Sequence, residues 1–78
     1  MIKFDYTQHT DKHIGFIEFG QHSISEIEVY LINGSMYFMD HDEPEVAMTY
    51  AECREFFYKH DAGPEWEEQI TPLNEQVK

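Results

Sequence analysis

The side chains in this 78-residue sequence that could do chemistry are five histidines, one cysteine and sixteen carboxylates. His9 and His13 have the H-x3-H spacing that brings two imidazoles to one side of a helix and suits a zinc ion. The segment between them, Thr10-Asp11-Lys12, reads instead as a hairpin loop flanked by strands, where that geometry does not follow. His41 stands between Asp40 and Asp42, so a metal site from His9, His13 and His41 needs the fold to gather them. A calcium loop of the EF-hand type fails, because Pro44 falls at the third ligand position and Glu45 where the turn glycine belongs. The plainer expectation is surface histidines and no metal. Cys53 and His60 are seven residues apart on a predicted helix, about 10 Å, too far for a thiolate–imidazole pair. There is no G-x-S-x-G, no phosphate-cradling glycine loop and no H-E-x-x-H. A chain this short also has little volume for a ligand pocket of ~300 Å³ or more. Neither an enzymatic activity nor a cofactor is expected.

The carboxylates are the more informative set. Sixteen acids against five bases give a net charge of −11 and a pI near 4.5. Direct nucleic-acid binding is not expected, since it depends on neutralising phosphates with Lys and Arg. An anionic membrane surface is disfavoured for the same reason, and no apolar run approaches the ~18 residues of a membrane span. Met1 to Asp5 lacks the apolar core of a signal peptide, and a lone Cys53 suits a reducing compartment, so a cytoplasmic location is expected. The charge is unevenly spread. Residues 1–39 carry five acids against two lysines, net −3, whereas 40–68 carry ten acids against Arg54 and Lys59, net −8. Such an array repels itself. Its functional reading is a surface made to meet a basic partner; the plain alternative is a solvated acidic face.

Elements must position these groups. Leu, Ile, Val and Phe make up 18 of the 78 residues, and twelve aromatics add large burial, so a folded chain is expected. Ile2, Phe4 and Tyr6 alternate with polar residues as in a half-buried strand. Folded back across 9–12 onto 13–19, that run would place Ile2 against Phe19, Phe4 against Ile17 and Lys3 against Glu18. Asn33-Gly34 between two β-rich runs predicts a type I′ hairpin, with Leu31 facing Met36, Tyr30 facing Tyr37, Val29 facing Phe38 and Glu28 facing Met39. The Gly20–Ser25 segment would join the two hairpins. Residues 40–45 read as an acidic loop, and Thr49-Tyr50-Ala51-Glu52 as a capping box opening a helix to about His60. Gly63 and Pro64 end it and start a short second helix, which Pro72 interrupts.

The expected fold is α+β: a four-stranded antiparallel meander, one capped helix and a short C-terminal helix. Residues 1–70 form a single domain and 71–78 a tail that frays. Both sheet faces carry apolar groups, so the second needs a cover, either the Trp66–Val77 segment or another protein. The partner-binding residues predicted are Asp40, Asp42, Glu43, Glu45, Glu52, Glu55, Glu65, Glu67 and Glu68, with Trp66, Tyr30 and Tyr37 supplying desolvated contact. In size and charge alone, with no shared motif, the chain resembles small acidic proteins of phages and mobile elements. Those proteins block nucleic-acid-binding factors by imitating the charge of DNA or RNA. The resemblance implies a non-enzymatic inhibitor of a basic protein. The alternative is a homodimer or assembly subunit that pairs through Phe16, Tyr30, Tyr37 and Met39.

Overall fold

A computed structural model describes residues 1–20 and 25–77, and among these the chain forms one antiparallel sheet with two helices on one face. The α+β class is as expected, but the sheet has five strands, ordered β1-β5-β4-β3-β2. They are β1 (Ile2–Lys3), β2 (His13–Phe19), β3 (Ser25–Ile32), β4 (Ser35–Asp40) and β5 (Val46–Thr49). Helices α1 (Tyr50–Lys59) and α2 (Gly63–Gln76) follow. Neither is long and apolar enough to cross a membrane.

The β3–β4 hairpin has the register its turn dictates. Asn33 and Gly34 both take positive φ, 52° and 80°, and Leu31↔Met36, Tyr30↔Tyr37, Val29↔Phe38 and Glu28↔Met39 are all paired. β2 lies along the other side of β3, with Ile17 opposite Ile27. The connection expected between them falls on 20–25, of which 21–24 lie outside the described residues.

The N-terminal run corrects the first predicted hairpin. Ile2 pairs with Ala47 and Lys3 with Val46, at the opposite edge of the sheet from β2. The extended conformation stops at Asp5, whose carboxylate accepts from the Thr7 N–H (3.1 Å) and hydroxyl and bends the chain into a 3₁₀ turn at Tyr6–Gln8. A second 3₁₀ turn spans Thr10–Lys12. Local side-chain bonding therefore overrides the period-2 pattern. β5 is the strand that the sequence reading lacks: Val46-Ala47-Met48 is too short to show a period, and only its pairing with β4 and β1 defines it.

Helix α1 starts on the predicted capping box. The Thr49 hydroxyl accepts from the Glu52 N–H at 3.3 Å, and the Glu52 carboxylate accepts from the Thr49 N–H at 3.0 Å. Thr49→Ala is expected to lower stability by about 1 kcal/mol in urea unfolding. An unchanged midpoint would mean that packing of Cys53 and Phe57 alone holds this helix start. α1 ends at Lys59, and Asp61 in the left-handed region (φ 57°) turns the chain. α2 runs fourteen residues rather than stopping at Pro72. Proline removes one N–H from the helix, but Pro72 and Glu68 are both exposed, so the carbonyl that loses its partner is on the solvent side rather than in the core. Buried Leu73 anchors the last turns, so residues expected to fray are helical as far as Gln76.

Both helices cover the same face. Ile17, Ile27, Val29, Met36 and Phe38 pack there against Cys53, Phe57, Trp66, Ile70 and Leu73. Gln69 secures α2 to the sheet edge, accepting from the Glu18 N–H (2.7 Å) and donating to its carbonyl (2.8 Å) as a neighbouring strand would. The second face is therefore not covered by the Trp66–Val77 segment. Its apolar part is closed by the N-terminal segment itself: Phe4, 8% exposed, sits with Tyr30, Met39 and Ala47, and its N–H bonds the Glu45 carbonyl at 2.8 Å. A bulge between His13 and Gly15 turns Ile14 to the helix-covered face, whereas the sequence pattern places it on the other.

Candidate functional site

The predicted acidic residues separate into those engaged within the fold and those facing water. Asp40, half-buried at the end of β4, accepts from the Asp42 N–H at 2.9 Å and shapes the turn that holds Asp42, Glu43 and Glu45 exposed. Glu52 is spent on the capping box and also meets the Met1 ammonium. That ammonium, and then the Thr49 N–H, hold its carboxyl down at about 2. Glu55, Glu67 and Glu68 are exposed on the helices, and Glu65 is half-buried. Glu67 accepts from the Tyr58 hydroxyl at 2.5 Å, which pushes the Tyr58 pKa up. Among the described residues, ion pairs reach only Asp11, Glu28 and Glu52 of all the acids. Asp42, Glu43, Glu45, Glu55, Glu65, Glu67 and Glu68 have none. Arg54, the base nearest in sequence to Glu55, lies 4.5 Å over the Tyr58 ring instead.

The aromatic part of the predicted surface is elsewhere. Trp66 is 1% exposed, enclosed by Phe38, Tyr50 and Phe57 at ring distances of 5.5, 5.3 and 5.3 Å. Its three glutamate neighbours suggested a surface anchor, but the 3.6-residue period puts Trp66, Ile70 and Leu73 on one buried stripe. Tyr30 is 4% exposed beneath Phe4, and Tyr37 is half-buried. Cys53 is fully buried, and burial alone pushes its thiol up to about 12.

A second constellation lies on the other sheet face. β2 and β3 set Glu18 directly opposite Glu26, with Glu28 two residues further on the same side. His13 opens β2 and His41 follows β4, and both turn their Nε2 onto Glu28: His41 at 3.1 Å from Oε1, His13 against Oε2. Burial acts to raise the Glu28 pKa, but hydrogen bonds from the two imidazoles and their charge outweigh it and hold the carboxyl below its ordinary value. His9 does not join them; it stacks on Phe4 at 5.4 Å. So two of the three histidines considered for a metal set converge, and they meet on a glutamate that sequence reasoning left out. The signal was present. The Asn33-Gly34 register, carried one pair past the last one observed, Ile27↔Asp40, would set Glu26 opposite His41. Beside this cluster runs an open groove of about 500 Å³, bordered by Tyr6, Tyr30 and Met39, larger than the chain length led one to expect.

Comparison with protein-family models, with curated proteins and with solved structures finds no significant match, so the function must be argued from these residues.

Proposed function

We propose that this chain is a non-enzymatic acidic binding protein whose exposed carboxylates engage a basic protein surface, of the type that otherwise binds a nucleic-acid backbone. One observation carries the reading: of the ten acids in residues 40–68, nine lack an ion-pair partner among the described residues, and seven of these nine are exposed. Uncompensated like charge destabilises a compact chain, and a cationic partner relieves that repulsion while gaining steered association. Competition is the mechanism. Asp42, Glu43 and Glu45 in the turn, with Glu55, Glu65, Glu67 and Glu68 on the helices, occupy Lys and Arg positions that phosphates would fill. Glu52 and the buried Trp66 and Tyr30 take no part. Pairing of two copies through the aromatic sheet face has less support, since Phe4 already buries Tyr30 and Met39 and leaves Phe16 the exposed member of that set.

The test is the affinity of a partner captured from the native cells at low salt. Binding is expected to weaken at least about tenfold between roughly 50 and 300 mM salt. The combined amide variant D42N/E43Q/E45Q should weaken it comparably, and Lys3→Ala should not. Salt-independent binding, or full affinity in the amide variant, would reject the electrostatic mechanism.

A further inference from the structure

We propose that Glu26, Glu28 and His41, with His13 beside them, form a binding site for a divalent transition-metal ion of the zinc class. The inference stands apart from the acidic-surface reading, because it uses none of the same carboxylates.

Geometry is the first argument. One donor atom from each of Glu26, Glu28 and His41 lies within 4.8 Å of the others. A tetrahedral zinc ion with bonds of about 2.0–2.1 Å separates its ligand atoms by about 3.3 Å. The His41 Nε2 to Glu28 Oε1 distance of 3.1 Å is already close to that edge. The other donor separations, at most 4.8 Å, need to close by no more than about 1.5 Å to reach that edge. The backbone is also well held: Glu26 and Glu28 lie on β3, between β2 and β4, and His41 follows β4 directly.

Electrostatics is the second. The Glu28 side chain is 15% exposed, yet neither Lys nor Arg pairs with it among the described residues. Glu26 stands beside it and Glu18 directly across from Glu26, an arrangement that is unfavourable between like charges. The two imidazoles bond Glu28 and leave Glu18 and Glu26 without an ion pair among the described residues; a dication offsets the repulsion directly. The donor set then selects the ion. Imidazole nitrogen with carboxylate oxygen favours zinc, copper or nickel, whereas calcium and magnesium prefer oxygen alone. Without metal, each Nε2 carries the proton it donates to ionised Glu28. Upon binding, the His41 proton passes through solvent from Nε2 to Nδ1, and the freed Nε2 lone pair faces the ion.

Chelator-treated protein titrated with Zn²⁺ alone, near neutral pH and at moderate salt, tests the site by calorimetry. One ion per chain is expected, with His41→Ala and Glu28→Gln each weakening binding by about tenfold or more. His9→Ala and His60→Ala should leave it unchanged. Mg²⁺ in excess should fail to compete. Circular dichroism checks that Glu28→Gln folds, and His41, exposed at the surface, keeps the test decisive if it does not. Absence of Zn²⁺ binding, equal affinity in His41→Ala, or effective competition by Mg²⁺ would overturn the proposal, the last two by showing diffuse association with carboxylates.

Discussion

Trp66→Ala is expected to cost about 3–5 kcal/mol, the range for truncating a fully buried aromatic. A chain of this length has a total stability of about 4–12 kcal/mol, so the variant should lose from about a quarter to all of it. The reason is position. Trp66 is the residue where α2, α1 and β4 meet, through Tyr50, Phe57 and Phe38, and its ring has no room to be replaced by relaxation of one neighbour. Urea unfolding followed by circular dichroism measures the loss. Had Trp66 been a surface anchor, the same change would weaken partner binding and leave the unfolding midpoint within about 0.5 kcal/mol. That second outcome would refute the packing described above.

Phe4→Ala carries the next largest effect, about 3 kcal/mol, and a different signature. Phe4 holds the N-terminal segment over the second face, with its ring 5.1 Å from Tyr30. Truncation removes that cover and exposes Tyr30, Met39 and Ala47, while the helix-covered core of Trp66, Phe57 and Phe38 keeps its contacts. A fluorescent dye that binds apolar surface should therefore respond to the folded variant and not to the parent. Self-association at high concentration should rise alongside. A loss below about 1 kcal/mol with no dye response would show that something other than Phe4 closes this face.

These two residues show where sequence reasoning reached and where it stopped. Trp66 was readable as core from its spacing to Ile70 and Leu73; the run of glutamates beside it argued the other way. Phe4 alternated correctly with polar neighbours, yet its partner strand could not be deduced, because the alternation says which side chains share a face and not what the strand lies beside. The acidic turn at 41–45 was readable from Pro44 and its neighbours. Glu52 was counted with the acids free to meet a partner, although the same four-residue motif that identified the capping box already used its carboxylate.

Local chemistry alone determined the Asn33-Gly34 hairpin and its register, the start of α1 at Thr49 and the surplus of negative charge. Each of the two structural features depends on groups within a few residues of one another, so little chain entropy opposes its formation. Only the tertiary structure decided that the N-terminal strand joins β5, that both helices share one face, and that His13, Glu28 and His41 meet. Those contacts bridge 45 residues between Ile2 and Ala47, and 15 and 13 residues around Glu28. Long closures of this kind are unfavourable singly and form only when the whole sheet and its buried core form together.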